Sequence, residues 1–453
     1  MTQTLTKTEI MNKAGNLPRY TSYPTANHFS EKVTSTQSLA WVSSISSSQD
    51  VSLYLHIPFC RQLCWYCGCN TSVTHKEDPI YKYLSLLESE IAIIASHLDP
   101  SIRVTHIHFG GGSPTIVPAG KFCNLMDIVK TSFTVSDHAE IAIEMDPREI
   151  SEAKVAAYAK AGVNRASLGV QDFDLNVQRS INRIQPFRQV YDKIELLRSY
   201  GIENINVDLI YGLPNQSKET IHKTLEKTVL LSPSRVSLFG YAHVPWMKKH
   251  MKLIDETKLP KSEERMEFFE LASELLIKAG YRAVGLDHFV RPDDTMARAL
   301  ETQTLKRNFQ GYTIDTAKNL IGLGVSAISQ TEDGYWQNFT DLKHYRAAIR
   351  SGVCATGKGL AVNEADLFCR EVIEQLMCYY RVDRKSLSTQ SSYYDQIWSA
   401  ALEQLRPLEA QGIVKIENEQ IILLSETRQF VRLVAASFDQ YLTASKNKHA
   451  QVA

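Results

Sequence analysis

From Val51 to Ala279, short β-branched runs alternate with longer segments in which apolar residues return every three or four positions, so a period of two gives way repeatedly to one of 3.6. The runs Val51–Pro58, Val104–Gly110, Glu140–Met145, Arg165–Val170, Asn204–Ile210 and Arg235–Tyr241 predict strands. Between them, Tyr81–Leu98, Ala119–Phe133, Glu152–Ala161, Phe187–Tyr200 and Lys218–Leu231 predict helices, and Ser262–Ala279 predicts a sixth after the last strand. In the first helix Leu84, Leu87, Ile91, Ile94 and Leu98 form one apolar face, which must lie on a sheet. Six β/α units in series imply an α/β fold with a parallel sheet and right-handed crossovers. Periodicity leaves two forms open, a doubly wound sheet and a curved, incomplete (β/α) barrel. In either form ligands gather at the carboxyl ends of the strands.

The flanks read differently. Residues 1–36 contain Pro18-Arg19-Tyr20-Thr21-Ser22-Tyr23-Pro24-Thr25, too rich in Pro, Ser and Thr for helix and without strand alternation, which predicts an extended arm. After about Ala355 long helical patterns take over, at Glu364–Tyr380 and Tyr393–Gln411. A small hairpin of Ile413–Ile416 and Gln420–Leu424 about Glu417-Asn418-Glu419 follows, and a last helix near Thr427–Leu442. The expected organisation is an arm at 1–36, a β/α domain at 37–355 and a mostly helical domain at 356–453 with a winged-helix-like hairpin.

Charge removes one class of function. Lys+Arg and Asp+Glu both number 50, and no basic run interleaved with aromatics occurs, so nucleic acid is not an expected partner. No stretch has the apolar length of a signal peptide or a membrane span, so a cytoplasmic protein is expected.

Of the eight cysteines, Cys60, Cys64, Cys67 and Cys69 crowd one loop after the first strand, which in a reducing compartment points to metal rather than disulfides. Cys123, Cys354, Cys369 and Cys378 are scattered through apolar segments and read as small core residues. Structural zinc wants a tetrahedral set of four N/S ligands, usually from two separated pairs, and those are absent. Cys60, Cys64 and Cys67, spaced by three residues and then two, suit three irons of a [4Fe–4S] cubane and leave the fourth open to a ligand. A closed cluster that also uses Cys69 is the competing arrangement, although Cys69 stands only two positions from Cys67.

Other candidate residues sit at the same ends of the predicted strands. Gly110-Gly111-Gly112-Ser113-Pro114 follows the second strand, where bare backbone admits a ligand closely and its amides could meet a carboxylate or amine; a plain tight turn is the alternative. Glu144 ends the third strand, where a carboxylate can accept from ribose hydroxyls. Gln171, Arg183 and Asp208 lie at or just beyond strand ends and offer an amide, a fixed cation and an anion.

These residues together resemble the oxygen-independent coproporphyrinogen III oxidase family of the radical S-adenosylmethionine superfamily. The likeness runs through Pro18 to Thr25, Tyr54-Leu55-His56-Ile57-Pro58-Phe59-Cys60 to Cys69, and Gly110 to Thr115. It continues through Asp146-Pro147-Arg148-Glu149, Gly169 to Phe173, Asp208 to Pro214, Asp287-His288-Phe289, Arg307 to Thr313 and Gly324 to Ser329. The resemblance implies the incomplete barrel, a helical C-terminal domain, a [4Fe–4S] cluster and two S-adenosylmethionine molecules. It implies that one nucleoside meets Tyr54, Gly111, Glu144 and Ile328, and the other Tyr66, Gly112, Ser113, Gln171, Arg183, Asp208 and Ala242, with Tyr54 also catalytic. Tyr66 and Ser113 stand where Phe and Thr are more usual, and Val244-Pro245-Trp246-Met247-Lys248-Lys249 is more basic than its counterpart. The implied reaction converts two propionates of coproporphyrinogen III to vinyls in haem biosynthesis, with a low-potential donor such as flavodoxin or ferredoxin, in a monomer. Arg19, Arg183 and Lys248 are candidate partners for tetrapyrrole carboxylates. A haem-binding chaperone, a haem-modifying radical enzyme and a pure electron carrier are the alternatives; Cys69 and the arm motif argue against the chaperone.

Overall fold

The computed structural model describes residues 17–388 and 391–442; the rest of the expected arm (1–16) and of the C-terminal domain (443–453) lie outside the described residues. Six parallel strands, β1 (Val51–Ile57), β2 (Arg103–Gly111), β3 (Thr134–Met145), β4 (Arg165–Gln171), β5 (Asn204–Tyr211) and β6 (Arg235–Gly240), lie side by side in chain order. The helices between and after them are α1 (Asp78–Ala95), α2 (Ala119–Ser132), α3 (Glu152–Ala161), α4 (Phe187–Ser199), α5 (Lys218–Leu230) and α6 (Ser262–Lys278). A doubly wound sheet reverses its strand order part-way; an unbroken order with right-handed crossovers puts every helix on one face and curls the sheet around the other. The incomplete barrel is therefore the form adopted.

The sheet extends past these six strands in a way the sequence pattern did not announce. β7 (Arg282–Val284) and β8 (His288–Val290) add to β6 antiparallel, while β9 (Asn319–Leu323) pairs parallel with β1 and leads to β10 (Ile328–Gln330), β11 (Gly334–Asn338) and β12 (Thr356–Ala361). The added strands are three to six residues long, too short to show a period. A helix at Ser35–Ser43, capped by Thr34, was likewise unexpected.

The two faces of the barrel wall differ in chemistry. Outward residues such as Ile107, Phe109, Ile141, Ile143, Val207 and Val236 pack with Leu84, Leu87, Ile91 and Ile94 of α1 in the main core. Inward residues of the same strands, His106, His108, Glu140, Glu144, Ser167, Asp208, Arg235 and Ser237, line a cavity of about 190 Å³. Burying ionisable groups without partners is costly. Here Arg165 pairs with Glu140 at 2.9 Å and Arg235 with Asp294 at 2.9 Å.

A second core gathers α7 (Glu364–Tyr379), α8 (Tyr393–Ala410) and the closing segment. The expected hairpin forms as β14 (Val414–Glu417) and β15 (Gln420–Leu423), and a third strand, β13 (Arg381–Asp383), joins it. The last helix is shorter than expected, Val431–Ala436 after a 3₁₀ turn at Ser425–Phe430. Tyr20 and Tyr23 of the arm are buried in this second core; the Tyr20 hydroxyl donates to Asp439 Oδ2 at 3.0 Å, and Tyr335 of β11 donates to the Tyr23 carbonyl at 3.0 Å. The arm thus ties the sheet to the C-terminal helices. Among the described residues, no helix is long and apolar enough to cross a membrane.

Candidate active site

Strand β1 ends at Ile57 and the chain enters the cysteine loop, fixed at its base by a short parallel pairing of Phe59–Cys60 with Ser72–Val73. None of the four loop cysteines is paired in a disulfide. Arg183 and Arg148 place guanidinium nitrogens 3.3 and 3.7 Å from Cys64 Sγ, and Thr71 Oγ1 lies 3.2 Å from Cys60 Sγ. The Cys69 thiol hydrogen-bonds to Cys67; this bond, opposed by burial and helped by His250 and Lys248, brings Cys67 down to about 6 and pushes Cys69 up. Burial pushes Cys60 up to about 11. Soft sulfur donors beside guanidinium groups suit the thiolates of an iron–sulfur cluster. Among the described residues, no three His, Cys, Asp or Glu side chains are gathered closely enough for a single metal ion. A cubane takes one thiolate per iron, so its ligands stand further apart than those of one ion. The donor set therefore fits the cubane, with Cys69 placed as a hydrogen-bond donor to Cys67.

Tyr54 and His56 of β1 face the barrel mouth together. His56 Nε2 donates to the Asn70 carbonyl at 2.9 Å, which leaves Nδ1 to accept from the Tyr54 hydroxyl at 3.1 Å; burial keeps the ring neutral by lowering its pKa. The Tyr54 ring stacks on His108 with centroids 5.9 Å apart. His108 Nε2 donates to Glu144 Oε1 at 3.1 Å and the Gly111 amide donates to Glu144 Oε2 at 3.2 Å. Burial pushes the Glu144 carboxyl up, but the His108 and Gly111 bonds outweigh it and hold the carboxyl below its ordinary value. Its side chain keeps 44 % exposure, so a carboxylate faces open space.

The glycine run is explained by contacts inside the protein. Gly111 has φ +120°, and a Cβ there would lie 2.7 Å from the His56 ring; a Cβ at Gly110 would lie 2.8 Å from Glu144 Oε1. The amides of Gly112 and Ser113 donate to the carbonyls of Ile57 and Phe59, both at 2.8 Å. With Gly111 bonded to Glu144, the amides of Gly111, Gly112 and Ser113 are each engaged within the protein.

Around the cavity, Asp208 accepts from Ser167 Oγ at 2.9 Å and Asn206 Nδ2 at 2.8 Å, and burial pushes its carboxyl up to about 6. Gln171 takes a left-handed φ of 69° where the β4–β5 register slips, a bulge that re-aims the end of the strand. Arg183 donates to the Gly169 carbonyl at 2.6 Å and pairs with Asp146 at 3.1 Å; burial, outweighed by Arg183 and Arg148, leaves Asp146 down at about 2. Tyr66 packs against the small apolar cluster that holds Ile181, Tyr241 and Met251, with Arg183 among the charges that act on it. Ile328 crosses behind Gly322, the residue in register with Tyr54, and Ala242 follows β6.

Residues 54–228 match the sequence pattern of the Radical SAM superfamily. The chain is 43% identical to the oxygen-independent coproporphyrinogen III oxidase of Bradyrhizobium diazoefficiens, over 96% of this chain and 97% of that one. The chain belongs to the oxygen-independent coproporphyrinogen III oxidase family. The Paracoccus denitrificans member is 39% identical over 96% of each chain. The solved coproporphyrinogen III oxidase (HemN) of Escherichia coli, described as a radical SAM enzyme, superposes with a TM-score of 0.90 at 37% identity, over 94% of this chain and 98% of that one.

Within this family fold, Glu144 accepts from the Gly111 amide, Tyr54 and Glu144 both crowd Gly110, and Glu144 shares its cavity with Asp208. Arg19 lies elsewhere, at a separate cavity, and Lys248 Nζ donates to the Cys69 carbonyl at 2.9 Å. Sequence reasoning missed His108, Arg148 and His250. His108 alternates with His106 on an otherwise apolar strand, a period-two signal that was open to reading; His250 reaches the Cys67 carbonyl across 183 residues, for which the sequence carries no sign.

Proposed function

We infer that this chain is an oxygen-independent coproporphyrinogen III oxidase, which decarboxylates two propionates of coproporphyrinogen III to vinyls and releases protoporphyrinogen IX in haem biosynthesis. The observation that carries this reading is the loop of Cys60, Cys64 and Cys67, set among guanidinium groups at the carboxyl ends of β1 to β4. These three thiolates would hold the [4Fe–4S] cluster. When bound, the cluster and S-adenosylmethionine supply the 5′-deoxyadenosyl radical, which takes hydrogen from an unactivated carbon that side-chain acids and bases cannot deprotonate.

The chain's own residues bind and orient. Glu144, ionised and fixed by His108, is the proposed acceptor of ribose hydroxyls, and the turn at Gly111 to Ser113 the proposed contact of an amine. Tyr54, whose hydroxyl donates to His56 Nδ1, is the proposed catalytic residue, and Ile328 a proposed contact of the same nucleoside. Tyr66, Gly112, Ser113, Gln171, Arg183, Asp208 and Ala242 form the proposed wall for a second S-adenosylmethionine. Arg183 reads as a support for Cys64 and Asp146 rather than a carboxylate partner, because its Nη1 is engaged by those two side chains and its Nη2 by the Gly169 carbonyl.

The same reading holds that the protein works as a cytoplasmic monomer reduced by flavodoxin or ferredoxin. It keeps the division into arm, barrel and C-terminal domain, supported by two separate buried cores. The test is anaerobic incubation of reconstituted protein with coproporphyrinogen III, S-adenosylmethionine and dithionite, followed by mass spectrometry. Loss of two carbon dioxide molecules per tetrapyrrole is expected; haem binding without that product would assign a chaperone instead.

A further inference from the structure

The segment 244–254 leaves β6 and folds over the outside of the cysteine loop. Two bonds fix it there: Lys248 Nζ donates to the Cys69 carbonyl at 2.9 Å and His250 Nε2 to the Cys67 carbonyl at 2.8 Å. Met251 and Ile254 bury themselves in a small apolar cluster against which Trp65, Tyr66 and Val244 also pack. The segment is thus anchored to the loop that carries the thiols.

Its outer side is not used by the fold. Trp246, Met247 and Leu253 are 59%, 68% and 59% exposed, three large apolar side chains within one short stretch. Lys249 and Lys252 are exposed beside them, and 244–254 contains Lys248 and His250 but no Asp or Glu. Clustered exposed apolar groups on a soluble protein mark interaction sites, and Trp is a preferred anchor of such sites. A lysine rim selects an acidic partner and speeds encounter without tight binding, the behaviour of small, short-lived redox interfaces. The patch also backs onto the cysteine loop, because Lys248 and His250 in the same segment bond to the Cys69 and Cys67 carbonyls.

We propose that segment 244–254 is the docking surface for a small acidic electron-transfer protein that reduces the cluster. This rests on the radical reading above. The step moves one electron: the carrier's reduced flavin or iron–sulfur centre is oxidised by one electron, the cluster is reduced by one, and no bond or proton is exchanged.

The test compares the reconstituted holoenzyme with Trp246→Ala and with Lys249→Glu/Lys252→Glu. Binding of purified flavodoxin is measured by calorimetry at low and moderate salt, and 5′-deoxyadenosine formation is followed with either reduced flavodoxin or dithionite. Both variants should bind flavodoxin at least tenfold more weakly, the charge variant should lose most of the salt dependence, and flavodoxin-driven product should fall in step while dithionite-driven product stays at the parent level. Unchanged flavodoxin affinity, or a parallel fall with dithionite, overturns the proposal. So does a parent that binds neither flavodoxin nor a ferredoxin, self-associates through Trp246, or binds anionic vesicles there instead. A parent that yields no 5′-deoxyadenosine even with dithionite overturns the radical reading itself, which separates the two failures.

Discussion

The buried carboxyl group of Glu90, on α1, accepts from the backbone amide of Gly324 at 2.6 Å across 234 residues of chain. It also accepts from Tyr345 at 2.8 Å and from Asn338 at 2.6 Å, so one side chain ties a crossover helix to the β9–β10 turn that leads into Ile328. Tyr83, two turns away, donates to the His56 carbonyl at 2.6 Å and accepts from the Val325 amide at 3.1 Å. The far end of the sheet is thereby locked to the strand that carries Tyr54.

Burial pushes the Glu90 carboxyl up to about 7, above the roughly 4.3 of an unfolded chain. The fold therefore favours the protonated form: this group's stabilisation is full below the unfolded value and is lost as the pH rises through 7, about 4 kcal/mol in all. Glu90→Gln does not titrate, but turns an amide toward one of three donors, which costs about 1–3 kcal/mol. Denaturation midpoints should show the variant weaker than its parent at pH 5 and the gap closing by pH 8. A gap independent of pH would contradict this account.

Each of Cys60→Ala, Cys64→Ala and Cys67→Ala should leave the anaerobically reconstituted chain with little iron or sulfide. Cys69→Ala should keep about four irons per chain, since a cubane with one open iron needs three thiolates. Iron and sulfide analysis decides it, and loss of iron in the Cys69 variant would support a closed four-cysteine cluster.

Glu144→Gln removes the charge that His108 and Gly111 orient. Hydrogen bonds to charged groups contribute about 1.5–3 kcal/mol, so the dissociation constant for S-adenosylmethionine should rise about 10- to 100-fold while iron content stays at the parent level. His108→Ala, which frees the carboxylate to turn, should weaken binding in the same direction. Equilibrium dialysis with the nucleoside gives the readout.

A cavity of about 290 Å³ beside the carboxyl ends of β5 and β6 is lined by Arg19, Arg307, Arg428 and Arg432, against only Glu270 and Asp287. Burial, with the charge of Arg19 added, brings Arg432 down to about 10, and Arg19 donates to the Gly240 carbonyl at 3.1 Å. Carboxylate arms of the tetrapyrrole are the expected guests. Arg428→Ala should raise the KM for coproporphyrinogen III about tenfold, the loss of one charge-assisted bond, with kcat and nucleoside affinity unchanged. An unchanged KM in anaerobic turnover assays would place the substrate carboxylates elsewhere.

The sequence by itself determined the repeating β/α unit, because apolar period is a local property: α3 was legible to the residue as Glu152–Ala161, and the other five crossover helices to within a turn. It also determined the thiol loop, since Cys60, Cys64 and Cys67 are neighbours in the chain and their spacing needs no tertiary contact to be read. Only the tertiary structure decided that the sheet curls, because curvature follows from the order of strand pairing, and that six further short strands extend it. It alone brought His250 to the Cys67 carbonyl, Glu90 to Gly324 and Tyr20 to Asp439, contacts between residues with no local pattern in common. A polar side chain buried on an apolar face, as Glu90 is, finds its reason in a partner that the chain supplies hundreds of residues later.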